Sequence, residues 1–195
     1  VGGTLALMVL ALLSRETAIL LPFLLVSFYV AFLSDGKFLN SLKGGLLKTW
    51  PYFGVSAGYF LLRLTALNFK NTLNFYSQAN AYSENLTYRL YTFGAVLIEY
   101  FKLIFIPAGL HMERDLALRT SIFQWPVWPI FLALAGLIVW LRFLYKKSLP
   151  SFKIWFLGLG WFFIALGPVS GLTPINALLY EHWLYLPMAG FWLIA

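Results

Sequence analysis

The chain has 195 residues, of which 61% are hydrophobic and 11% charged. Soluble domains run near half apolar and about a quarter charged, and so few charges cannot cover the surface of a water-soluble domain of this size. The net charge of +7 comes from basic residues scattered between apolar runs, which fits membrane-flanking anchors better than a nucleic-acid surface; with no Cys, disulfides, thiolate metal sites and thiol nucleophiles are excluded.

A helix needs about 20 largely apolar residues to cross the hydrocarbon core. Val1–Leu13 is apolar and reads as a partial span. Ser14-Arg15-Glu16 breaks it, and the uncharged run Thr17–Ser34 follows as a complete span with Pro22 near its start. Ser34-Asp35-Gly36 and Lys43-Gly44-Gly45 read as one loop. Thr49–Leu67 is a second span, with Arg63 near its end where it can snorkel. Asn68–Asn85 is too polar to cross. Leu90–Leu110 is a third span, apolar apart from Glu99 and Lys102. The charged loop His111–Arg119 leads to the fourth span, Thr120–Leu141. Lys146–Lys153, with Ser-Leu-Pro, is the next turn. Ile154–Tyr180 is uncharged, and Pro168 and Pro174 end its helix early. Trp183–Ala195 is a second partial span.

The expected fold is therefore all-α: a polytopic integral membrane helical bundle of about five complete and two partial transmembrane helices, forming one transmembrane domain over residues 1–195. The chain opens and stops inside apolar runs, without an initiator Met or a signal peptide, and so reads as an internal piece of a longer protein. Strict alternation of spans would place Arg15, Arg63, Lys70, Arg89, Arg142, Lys146, Lys147 and Lys153 on one side. Lys37, Lys43, Lys48, Arg114 and Arg119 would share the other. The larger basic group is expected in the cytoplasm, with His111–Arg119 and Pro168–His182 together on the opposite face.

Ionisable residues at membrane depth are costly and become candidates for function. Glu99 and Lys102 share a helix face, either as a structural pair or with Lys102 turned to a lipid phosphate. Arg15 and Glu16 lie in a tight turn that needs no function but offers a cation to a phosphate. His111, Glu113, Arg114 and Asp115 follow Pro107-Ala108-Gly109; a solvated loop accounts for them, and Arg114 and Asp115 also suit sugar hydroxyls or a phosphate. Their spacing matches no specific metal site, so no metal ligand is assigned and any need for a divalent ion stays open. Glu181-His182 ends a long uncharged run, and Glu181 and Tyr185 would share a helix face. A phosphate-binding glycine loop, a nucleophile elbow and a His-Glu-x-x-His motif are all missing.

Three ordered stretches resemble the membrane half of the transmembrane and tetratricopeptide-repeat type C glycosyltransferases, relatives of protein O-mannosyltransferases. The first is Ser14-Arg15-Glu16-Thr17-Ala18 with Pro22. The second runs from Tyr100-Phe101-Lys102-Leu103 through Pro107-Ala108-Gly109-Leu110 to Asp115. The third is Trp161-Phe162-Phe163, Pro168, Pro174 and Glu181-His182-Trp183-Leu184-Tyr185-Leu186-Pro187-Met188-Ala189-Gly190-Phe191. Arg15 stands where the family commonly has Lys, and Trp183 where it often has Arg.

The resemblance implies transfer of a sugar, mannose being the family's best-known one, from a polyprenyl-phosphate-linked donor to an acceptor hydroxyl, such as a protein Ser or Thr, on the non-cytoplasmic face. It implies Arg15, Lys102, Arg114, Glu181, His182 and Tyr185 as donor or phosphate contacts, and Glu16, Glu113 and Asp115 as acceptor or sugar contacts. The implied partners are membrane lipid, a lipid-linked sugar and a protein acceptor, with no nucleic acid. The main catalytic acid is expected in a first external loop upstream of this chain, and tetratricopeptide repeats downstream, which would leave the chain alone inactive. The sparse loops favour a bacterial inner membrane over the endoplasmic reticulum. Two other readings use the same composition: a transporter or flippase segment, motivated by Pro-broken helices and the Glu99–Lys102 pair, and a polysaccharide polymerase or ligase, which also consumes lipid-linked sugars.

Overall fold

The computed structural model describes residues 2–33, 37–65, 80–172, 174 and 177–195. Helix α1 (Gly2–Ser14) is followed by a 3-10 turn (Glu16–Leu20), α2 (Leu21–Phe28) and a π turn (Tyr29–Leu33). Then come α3 (Phe38–Thr65), the short α4 (Ala81–Glu84), α5 (Leu86–Phe105), α6 (Val127–Lys147) and α7 (Leu149–Leu166). A 3-10 turn at Glu181–Leu184 leads into α8 (Tyr185–Trp192). The one β-bridge among the described residues joins Glu113 to Tyr180.

Among the described residues, three segments are long and apolar enough to cross a membrane: Glu16–Leu33, Val127–Lys147 and Leu149–Val169. Leu132, Ile138 and Val139 are each about two-thirds exposed on α6, an outer face suited to lipid rather than water. The architecture is that of a helical membrane protein. The expected count of about five complete and two partial spans is corrected to three among the described residues. Helix α3 has 28 residues but carries Lys43, Lys48 and Arg63, while α5 carries Arg89, Glu99 and Lys102. The expected partial spans are the 13-residue α1 and the eight-residue α8.

Boundaries follow local chemistry. Pro22 occupies the first turn of α2, where its missing N–H leaves no bond unmade, and Pro168 stands in the 3-10 turn that closes α7. Asn85 Oδ1 accepts from the backbone N–H groups of Thr87 and Tyr88, capping α5. Lys43-Gly44-Gly45 was expected in a loop but lies inside α3. The two glycines let this helix close on Tyr29, since a Cβ at either would come within 3.2 Å of that side chain. Ser34-Asp35-Gly36, Lys70 and most of Asn68–Asn85 lie outside the described residues, as do Val1, the far ends of Thr17–Ser34 and Thr49–Leu67, and parts of Ile154–Tyr180.

The helices sort into two ends. Ser27 lies beside Gly160, and Phe38 packs on Phe152 and Phe156, so the span Glu16–Leu33 runs antiparallel to α7. Trp140 meets Trp155 and Tyr145 meets Phe152, which makes α6 and α7 a hairpin turning at Ser148. Helix α5 breaks strict alternation. It ends at Phe105 beside Phe191, and the chain then doubles back until the Arg119 N–H donates to Thr92 Oγ1 at 3.0 Å. His111–Arg119 therefore returns to the end that holds Arg89. Lys146 and Lys147 lie with Lys37, not with Arg15 as alternation predicted.

Helix α8 packs tightly on α7: a Cβ at Gly190 would sit 2.4 Å from the Gly158 carbonyl oxygen and 2.7 Å from the Phe162 nitrogen. Backbone cannot yield as a flexible side chain does, so Gly190→Ala should destabilise the α7–α8 contact by about 1–3 kcal/mol. Gly54→Ala, whose Cβ meets no atom within 4 Å and which suits a helix interior, should melt at or above wild type. Thermal melts of the two variants check this.

Candidate functional site

The site forms where two connecting segments cross. The Arg114 N–H donates to the Leu179 carbonyl at 3.1 Å, next to the Glu113–Tyr180 bridge. The two segments were expected only to share a face; here they touch. Tyr100, fully buried on α5, donates its hydroxyl to the Tyr180 carbonyl at 3.2 Å and ties to the core the α8 end of the α7–α8 connection, hereafter the strap. Arg89, only 8% exposed, holds the far end of that strap. Its Nε donates to the Gly171 carbonyl at 2.7 Å, and its Nη1 to those of Tyr82 and Ser83. Gly171 has φ +82, a conformation that a side chain would strain.

On this frame the Arg114 Nε donates to Glu181 Oε1 at 2.7 Å, and the His111 backbone N–H donates to the same oxygen at 2.9 Å. Arg114 Nη2 donates to the Gly109 carbonyl at 2.7 Å. The pair is partly screened from solvent, with side-chain exposures of 24% for Arg114 and 15% for Glu181. The His111 N–H and the Arg114 guanidinium hold the Glu181 carboxyl below the usual carboxylate range, against the opposing effect of burial. Burial, and then the Glu113 carboxylate, push the Tyr180 hydroxyl up, so it stays protonated beside Glu113. His182 stacks on the Tyr180 ring at 5.2 Å, and Trp183 meets that ring edge-on at 4.7 Å.

Beside the ion pair lies a groove of about 750 Å³. Leu103, Ile104, Leu184, Met188 and Trp192 line its apolar part, and His111, Glu181 and His182 supply polar groups. Tyr185, 85% exposed, also lines it, although Glu181 lies in the 3-10 turn and Tyr185 begins α8. An apolar trough with a few convergent polar groups suits an amphipathic molecule.

Of the expected site residues, Glu181, His182 and Tyr185 line this groove, and Arg114 reaches it through Glu181. Glu113 lies beside Tyr180, outside the groove lining, and Asp115 is exposed on the same segment. Lys102 is paired with Glu99 at 2.6 Å, 63% exposed, and is not among the groove-lining residues. Arg15 is exposed at the α1–α2 junction, and Glu16 pairs there with Arg63 of α3. These three lie outside the groove. Among the described residues, no group of three or more His, Asp or Glu converges as a metal site. Sequence reasoning missed Arg89, Tyr100 and Tyr180; Tyr100 stood inside a quoted motif, but nothing in the sequence marked the other two as anchors.

Comparison with protein-family models, curated proteins and solved structures gives no match for this chain.

Because the folded Glu181 carboxyl is held below its unfolded value of about 4.3, its ionic contacts stabilise the fold above that pH. The contribution is lost as pH falls through the lower, folded value. Glu181→Gln should therefore melt below wild type at pH 7, and the gap should close on acidification past pH ~4. A gap independent of pH would remove the ionic contribution.

Proposed function

We propose that this chain is the donor-holding membrane part of a glycosyltransferase that moves a sugar from a polyprenyl-phosphate donor to an acceptor hydroxyl. The observation that carries the reading is the apolar groove ending at the Arg114–Glu181 pair. Its trough accommodates part of an isoprenoid chain, and its polar end meets the phosphate and sugar. The resemblance of the three sequence stretches to type C glycosyltransferases supports the same reading.

In the proposed reaction, the bond between the anomeric carbon and the phosphate oxygen breaks, and the polyprenyl phosphate leaves with the electron pair. The acceptor oxygen bonds to the anomeric carbon, and its proton passes to a carboxylate expected upstream of this chain. Arg114 offers its charge to the departing phosphate. Its guanidinium carries more N–H donors than Glu181 and Gly109 take up. Glu181 fixes the orientation of that guanidinium, and His182 and Tyr185 border the space for the sugar. Mannose as the sugar, a protein Ser or Thr as the acceptor and a bacterial inner membrane as the location belong to this proposal.

In the full-length protein, Arg114→Ala and Glu181→Ala should each lower transfer of labelled sugar from a polyprenyl-phosphate donor at least about tenfold. Folded yield should be retained, as judged by size-exclusion profile. Wild-type transfer in both variants would sink these assignments.

A further inference from the structure

The end of the bundle opposite the candidate site carries a collar of lysines. Lys37 directly precedes α3 and Lys43 lies in its second turn, Lys146 and Lys147 close α6, and Lys153 lies near the start of α7. Three rings bring these helix ends together. Phe38 packs at 6.4 Å from Tyr145 and 5.8 Å from Phe152, Tyr145 lies 5.0 Å from Phe152, and the Phe38 N–H donates to the Tyr145 hydroxyl.

Helix energetics explain only part of this collar. Lys146 and Lys147 suit the C-terminus of α6, but Lys37 stands by a helix N-terminus, which favours acids. The sequence around Lys146 and Lys147 carries no acid, since Leu116–Tyr180 contains none. Directly beside the lysines the surface turns apolar, with Leu39 74%, Phe143 47% and Leu149 38% exposed. The Lys147 ammonium lies 5.4 Å over the Phe143 ring. Basic side chains over aromatic and aliphatic ones, at the ends of membrane-length helices, match the boundary between lipid headgroups and acyl chains.

We infer that this collar docks on anionic phospholipid headgroups of the cytoplasmic leaflet. Lysines near such a surface each gain affinity from its negative potential. The orientation follows: the Lys146–Lys147 turn is cytoplasmic, and the end holding Arg89, Glu113 and Arg119 faces the other side. This inference rests on charge and packing at the collar and is independent of the proposed sugar transfer.

The absence of Cys makes single-cysteine labelling direct. Ser148→Cys in the full chain should react with a membrane-impermeant maleimide in inside-out vesicles only, and Phe123→Cys in right-side-out vesicles only. In nanodiscs of mixed phosphatidylglycerol and phosphatidylcholine, wild type should concentrate phosphatidylglycerol around itself. The Lys37→Gln/Lys146→Gln/Lys147→Gln variant should lower that enrichment at least about fivefold. Labelling of Ser148→Cys from the outside, or equal enrichment in the variant and wild type, would overturn the inference.

Discussion

Glu181 Oε1 accepts two donors from a segment some 70 residues earlier in the chain: the Arg114 guanidinium and the His111 backbone N–H. Everything else in the candidate site depends on that oxygen. It pins the Pro107–Asp115 stretch to the start of the α8 turn, and the groove opens between them. A partly buried carboxylate with both partners in place is stable; removing one partner leaves a charge without compensation. The pair therefore acts as a structural clamp even with no ligand bound, and its geometry is set in advance for whatever occupies the groove.

The described chain around the clamp is held by packing and hydrogen bonds on several sides. Tyr100 reaches from α5 to the Tyr180 carbonyl, and Arg89 grips the Gly171 turn through its own backbone acceptors. Helix α8 cannot drift, because Gly190 and Gly158 let its backbone lie directly on α7. The apolar core beneath, including Leu97, Phe162, Leu166, Leu179 and Leu184, joins α5, α7 and the strap into one packed unit. Side chains held by packing and hydrogen bonds place a functional group more precisely than a free loop does.

Much of this was legible in the sequence, and the misses share causes. Long uncharged runs located the Glu16–Leu33, Val127–Lys147 and Leu149–Val169 spans, since hydrophobic length is a local property; Thr17–Ser34 matched to within a residue, while Thr120–Leu141 began seven residues early and Ile154–Tyr180 five late. Pro22 and Pro168 marked turns because proline acts on its own backbone. The span count failed at α3 and α5, where helix length and membrane crossing part company: α3 is diluted by Thr49, Pro51, Tyr52, Ser56, Tyr59 and its glycines, and α5 carries Arg89, Glu99 and Lys102. Alternation failed for the same reason, since α5 ends beside Phe191 and the chain returns to Thr92. Gly44 and Gly45 looked like a loop because their partner, Tyr29, is distant in sequence. In the site, Glu181, His182 and Tyr185 stood out as polar groups after an apolar run. Arg89 and Tyr180 did not, because their roles come from backbone carbonyls brought near only by folding.

Two features of the molecule then face opposite ways: a lysine collar beside exposed Leu and Phe at one end, and an ion-paired groove towards the other. On the proposed function, the chain of a lipid-linked donor would lie along Leu103, Ile104 and Met188, with its phosphate near Arg114, the partner of Glu181. The most direct measurement is photo-crosslinking of the full-length protein with a diazirine-bearing polyprenyl phosphate, followed by peptide mapping. Adducts on Met188, Trp192 or Leu103, displaced by unlabelled polyprenyl phosphate, are the predicted result. Adducts spread over the exposed faces of α6 and α1, with no displacement from the groove, would contradict the account.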